Sequence, residues 1–119
     1  MAKKPTQRFA ETGCAVETPK LSEMSIEALN WLHRAAIAAG DIVEGLGWKT
    51  NNQQAKDILL GLSDCFASLQ NEVVDEMALR KPADDAERRH RTFVLLDDAG
   101  RCLDPDEYPT ELAELVGRL

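Results

Sequence analysis

Two histidines, His33 and His90, and three cysteines, Cys14, Cys65 and Cys102, are the residues through which this 119-residue chain could attempt nucleophilic chemistry. Such chemistry needs an activated nucleophile, a base within hydrogen-bond reach and a group that orients the base. Neither histidine stands in a nucleophile motif. His33 falls beside an apolar helical seam and reads as a packed histidine. His90 falls among Arg88, Arg89 and Arg91 and reads as part of a solvated charged segment, with an anion site as the alternative. The cysteines lie far apart and form none of the close pairs that zinc or dithiol chemistry uses. Being three, they cannot all pair within the chain, so a reducing cytoplasm is their natural setting, and Cys65 reads as a small buried apolar residue. No glycine-rich phosphate loop and no dinucleotide fingerprint occurs. The acidic stretch from Asp97 to Tyr108 fails as a calcium loop, with Cys102 at the glycine position and Tyr108 at the bidentate glutamate position. No cofactor and no metal site is therefore expected.

Paired acids on helices are the remaining route to chemistry. Asp41-x-x-Glu44 and Glu72-x-x-Asp75 each place two carboxylates three residues apart, on one helix face. In this respect the chain resembles the all-α nucleoside triphosphate pyrophosphohydrolases of the MazG-like group, whose ExxE and ExxD pairs hold magnesium. Aspartate stands at the position of that family's first glutamate. The resemblance implies a magnesium-dependent nucleotide hydrolase as an alternative function. If the second helix folds straight back on the first, Glu44 lies near residue 54 and Glu72 is 18 residues, or roughly 27 Å, further along. One magnesium does not bridge that gap, although a dimer would bring the pairs together between subunits.

Charge argues against a second class of function. With 14 basic and 21 acidic residues the chain carries a net charge of −7, opposite in sign to the footprint of a sequence-independent nucleic-acid binder. Arg80, Lys81, Arg88, Arg89, His90 and Arg91 form the main basic concentration, but Asp84, Asp85 and Glu87 dilute it and no aromatic residues interleave it. A weak nucleic-acid-associated regulator is the third reading, and nucleic acid is not the expected partner.

The elements that would position these residues follow from periodicity. Residues 1–20 show no helical or alternating period and read as a flexible tail without the apolar run of a secretory signal. Lys3, Lys4, Arg8 and Lys20 against Glu11 and Glu17 give the tail a net charge of +2, and the remaining residues carry −9. Leu29, Leu32, Ala36, Ala39, Val43 and Leu46 form the seam of a first helix, capped by Ser22 or Ser25 and ended by Gly45 or Gly47. Asn30, His33, Arg34, Asp41 and Glu44 make this stretch too polar to span a membrane. Thr50-x-x-Gln53 reads as the capping box of a second, longer helix with the stripe Ala55, Leu59, Leu62, Phe66, Leu69, Val73 and Met77, stopping before Pro82. Residues 82–92 read as a solvated charged connection or a short helix. Phe93–Leu96, the turn Asp97-Asp98-Ala99-Gly100 and Arg101–Leu103 read as a β-hairpin, followed by a short helix with Thr110 as cap and the stripe Leu112, Leu115, Val116 and Leu119.

The expected fold is thus mainly α with a minor β part. A single domain over residues 21–119 contains an antiparallel two-helix hairpin (25–81), the connection (82–92), and a small β-hairpin with a C-terminal helix (93–119). Because the second helix outreaches the first, its far end lacks a local partner. The expected function is a small acidic, cytoplasmic, non-catalytic protein-interaction module, a homodimer that regulates or inhibits a larger protein. Its expected contact residues are Leu62, Phe66, Leu69, Val73 and Met77, with Trp31 and Trp48 as contact aromatics.

Overall fold

The computed structural model describes residues 20–102 and 108–119. A 3₁₀ turn at Leu21–Glu23 leads into α1 (Ile26–Lys49), α2 (Gln53–Leu79), α3 (Asp85–Cys102) and α4 (Tyr108–Arg118), and there is no β-strand among the described residues. The expected tail lies, apart from Lys20, outside the described residues.

The Ser25 cap forms as its residue type requires: its Oγ accepts the Ala28 N–H at 3.1 Å, satisfying one of the free donors at the start of α1. The other end differs from expectation. Gly45 and Gly47 lie within the helix, which runs on to Lys49 and closes with the Thr50 N–H on the Leu46 carbonyl at 3.0 Å. Gly47 serves a different purpose. A Cβ there would sit 2.9 Å from Leu60 Cδ2 and 3.4 Å from Leu59 Cβ, so the missing side chain lets α2 approach α1. Together with the approach of Gly40 to Phe66, where a Cβ would stand 3.4 Å from the Phe66 Cβ, this sets the antiparallel register of the hairpin.

The start of α2 also shifts. Asn52 is the cap, its Oδ1 accepting the Ala55 N–H at 2.9 Å, while the Thr50 hydroxyl accepts the Asn52 N–H at 3.1 Å. Gln53 turns forward and donates to Asp57 at 2.7 Å rather than back to the helix start. Both Asn and Thr make good caps, and the longer tight link favours the one two residues later. The stop falls at Leu79, before Pro82 as expected.

The principal correction concerns residues 82–103. Residues 85–92 form the first turns of α3, the helical alternative for the 82–92 segment, and the β-hairpin is absent: Phe93–Cys102 continue the same helix, and Leu103 lies outside the described residues. Asp84 accepts the Glu87 N–H at 2.8 Å and Glu87 reaches back to the Ala83 N–H at 2.8 Å, a reciprocal cap that starts a helix. Phe93–Leu96, a four-residue apolar run, fits a helix as well as a strand, and Gly100 lies inside the helix. Val94 is fully buried and Leu95 nearly so, because α3 packs in the groove between α1 and α2.

That packing supplies the missing cover for the far end of α2. Leu69, Val73 and Met77 join Leu29, Ala36, Val94 and Leu95 in one core, with Leu21 and Ile26 closing its base. Arg80 ties the 3₁₀ turn to α2 by donating to the Leu21 carbonyl at 2.8 Å. The expected C-terminal helix forms but begins at Tyr108, so Thr110 lies inside it and is not its cap; Leu115 and Leu119 rest on the core and Val116 faces outward.

Candidate functional site

The expected contact residues divide by burial. Leu69 is 5% exposed and Val73 and Met77 are fully buried, so these three are core and do not form an outer contact surface. The physical reason is α3, an amphipathic helix where two short strands were expected. Leu62 and Phe66 keep partial exposure, and Trp31 and Trp48 are well exposed. The rings have local cations: Arg34 lies 5.4 Å from the Trp31 centroid and Lys56 lies 5.5 Å from that of Trp48.

A different apolar surface is open. At 3.6 residues per turn, Asn30 and His33 define the side of α1 that meets α3, and Ile42 and Leu46 fall on the opposite flank. On α2 the same flank carries Ile58 and Leu62, one turn apart. Exposures of 62% for Ile42, 51% for Leu46, 64% for Ile58 and 40% for Leu62 leave two i,i+4 apolar pairs facing outward near the hairpin tip.

The polar chemistry sits between α1 and α3. The His33 Nε2 and Asp97 Oδ2 are 2.8 Å apart, and Asp97 also accepts from Arg101 Nε at 3.3 Å. With the ring proton on Nε2 donated to the carboxylate, Nδ1 is left as a buried acceptor without a hydrogen-bond partner among the described residues. Asn30 donates to His90 Nδ1 at 2.6 Å and accepts from Arg34 Nε at 3.2 Å. The Arg34 guanidinium also lies 4.1 Å from the Phe93 ring centroid. A His–Asp pair is the orienting half of a catalytic arrangement, but His33 is wholly buried and, among the described residues, its ring hydrogen-bonds Asp97 and no nucleophile. Its role is to fasten α3 to α1. This network was missed from the sequence, although it left a signal. Asn30, His33 and Arg34 make a polar i,i+3,i+4 face on an otherwise apolar helix, and His90, Phe93, Asp97 and Arg101 repeat at helical spacing to meet it.

The acid pairs stay apart. Gly47 opposite Leu59 and Leu60 places Glu44 level with about residue 63, leaving Glu72 about 14 Å further along α2. This is half the expected gap, because α2 begins past the end of α1, and it still exceeds the reach of one magnesium with 2.0–2.1 Å ligand distances. No group of three or more His, Cys, Asp or Glu side chains converges as a metal site among the described residues. A cleft of about 160 Å³ lies beside the first pair, lined by Ile37, Asp41, Glu44, Phe66, Gln70 and Arg101. Its mouth is crossed by side-chain contacts, Gln70 donating to Asp98 at 2.9 Å and Arg101 standing 4.0 Å from Asp41.

Several members of the basic cluster are engaged within the chain. Arg91 donates to the carbonyls of Met77 and Ala78 at 3.2 and 3.3 Å, satisfying free acceptors at the end of α2. Arg80 pairs with Glu76 at 2.6 Å, and Arg88 pairs with Asp85. His90, expected in a charged loop, is committed to Asn30.

Cys65 corrects the cysteine reading. It is 4% exposed, as a buried residue should be, but it is disulfide-bonded. A disulfide removes the ground on which a reducing compartment was assigned. No helix among the described residues is long and apolar enough to cross a membrane.

Comparison with known protein families, characterised proteins and solved structures finds no match to this chain.

Proposed function

We propose that this protein is a small acidic, non-catalytic interaction module that pairs with a second copy of itself and regulates or inhibits a larger protein. The supporting observation is the open flank carrying Ile42, Leu46, Ile58 and Leu62, each at least 40% exposed. Two matched apolar pairs on antiparallel helices form a surface that meets an identical surface across a two-fold axis, helix against helix. From the contact set expected from sequence, Leu62 lies on this flank, and Phe66, Trp31 and Trp48 keep exposure elsewhere on the hairpin. The net charge of −7 suits a basic protein target and keeps the unpaired module soluble.

Sedimentation equilibrium of the full chain tests this reading. A dimer is expected for the parent protein and a monomer for the Leu46→Asp/Ile58→Asp variant. The variant's thermal stability should change by no more than about 0.5 kcal/mol per surface site once the dimer's contribution is removed by dilution. A parent protein that stays monomeric at the highest soluble concentration, or a variant that still dimerises, overturns the reading.

A further inference from the structure

The end of α2, the middle of α3 and the last turns of α4 enclose a cavity of about 440 Å³, lined by Ala78, Arg91, Leu95, Leu115, Arg118 and Leu119. Helical spacing brings these side chains together. Arg91 and Leu95 stand one turn apart on α3, and Leu115, Arg118 and Leu119 share a face at the end of α4. Burial grades across the lining. Leu95 is 8% exposed, Arg91, Leu115 and Leu119 are half-buried, and Ala78 and Arg118 are exposed. A volume in the range of small-molecule sites thus combines an aliphatic lining with two guanidinium groups.

No lining residue is acidic, in a chain of net charge −7. Arg91 spends its Nε and one Nη2 proton on the Met77 and Ala78 carbonyls, which fixes the plane of its guanidinium. Its Nη1 group has no hydrogen-bond partner among the described residues. Arg118 makes no hydrogen bond or ion pair with any described residue, Glu114 one turn before it included. Glu87, one turn before Arg91, is turned to the Ala83 N–H instead. The chain therefore leaves both cations uncompensated beside apolar surface.

The lining selects the ligand. A guanidinium fork matches a carboxylate, donating two parallel hydrogen bonds. The apolar residues are all aliphatic, which suits a hydrocarbon chain better than a ring. A peptide fits poorly, because its buried amides need partners. Arg91 already takes the carbonyls of Met77 and Ala78, and the α3 backbone from Arg91 to Leu95 is mid-helix, so two of the three walls have nothing to offer those amides.

We propose that this cavity binds a medium-chain fatty acid, its carboxylate held by Arg118 and the Nη1 group of Arg91, its hydrocarbon chain laid over Leu95, Leu115 and Leu119. The occupant also bridges two elements, since α4 packs chiefly on α3 and Ala78 belongs to α2. Ala78 lies 20 residues, about 30 Å, along α2 from Ile58, so the site is separate from the open flank and does not rest on the interaction reading.

The full chain carrying Leu46→Asp/Ile58→Asp, whose flank no longer attracts an alkyl chain, is titrated with hexanoate, octanoate and decanoate below micelle formation and followed by amide NMR. Saturable shifts are expected at Arg91, Leu95, Leu115 and Arg118, with affinity rising about fourfold for each methylene buried. Decanol, with the same tail as decanoate and no charge, should bind about tenfold or more weakly. Adding Arg118→Gln, which breaks no bond within the chain, should leave the melting temperature unchanged and weaken decanoate by a similar factor. Affinity independent of chain length, decanol binding as tightly as decanoate, or shifts confined to other parts of the chain overturn the proposal. So does N-acetylated dileucine shifting the same amides at lower concentration than decanoate, which would assign the cavity to a peptide terminus. Dimer formation enters none of these readouts, so this proposal and the interaction reading fail independently.

Discussion

Replacing Gly47 with alanine puts a methyl group into the closest approach between α1 and α2. Its Cβ would lie 2.9 Å from Leu60 Cδ2, 3.2 Å from Leu60 Cγ and 3.4 Å from Leu59 Cβ, all shorter than a comfortable carbon contact of about 3.5–4.0 Å. Gly61→Ala is the matched control, because a Cβ there meets nothing within 4 Å and the residue is exposed in the middle of α2. Both substitutions gain helix propensity, about 0.8–1.0 kcal/mol in a helix interior and less near a terminus. Only Gly47→Ala adds overpacking, typically about 1–3 kcal/mol. Leu60 is half-buried and its Cδ2 can rotate away, but the Cγ contact moves only if the side chain or α2 itself shifts. Gly61→Ala should therefore raise the melting temperature by about 4–8 °C, as about 1 kcal/mol does in a domain of this size. Gly47→Ala should lie about 1–3 kcal/mol below it in denaturant unfolding. Leu60→Ala in the Gly47→Ala background removes the obstructing atoms, so a double-mutant cycle should show a favourable coupling of about 0.5–3 kcal/mol. Equal stabilisation by both glycine substitutions, with no coupling to Leu60, would refute the register on which the placement of the acid pairs and the open flank depends.

Met77→Ala should destabilise the fold by about 2–5 kcal/mol in thermal or urea unfolding, since the side chain is fully buried, while Ile58→Ala on the open flank should stay within about 0.5 kcal/mol once dimerisation is suppressed by dilution. The opposite order would place the far end of α2 outside the core. Asp97→Ala leaves the buried His33 ring without its Nε2 partner, and about 1–3 kcal/mol of stability should be lost; hydrogen exchange should then show α3 loosening from α1 before the α1–α2 hairpin does.

Much of the first two helices was legible because the signals are local. The Ser25 cap acts across three residues, Pro82 forbids continuation of the preceding helix nearby, and the 3,4 spacing from Leu29 to Leu46 and from Ala55 to Met77 admits one regular structure. The same locality misled at Thr50, where two good capping residues stand two apart and the path of the link chooses Asn52. It misled again at Phe93–Leu96, although Asp84 and Glu87 announced a helix start just upstream.

The amino-acid order by itself determined a helical hairpin, its near boundaries, its acidic character and the absence of a recognisable catalytic or phosphate-binding motif. The tertiary structure decided which faces of that hairpin are covered. The stretch from His90 to Asp97 is helical because its polar and aromatic groups find Asn30, His33 and Arg34, residues about sixty positions away. Leu69, Val73 and Met77 are core for the same reason, and Ile42, Leu46, Ile58 and Leu62 are open because α3 settles on the other side. A helix stripe states that a residue wants burial; only the packed chain supplies, or withholds, the partner that buries it.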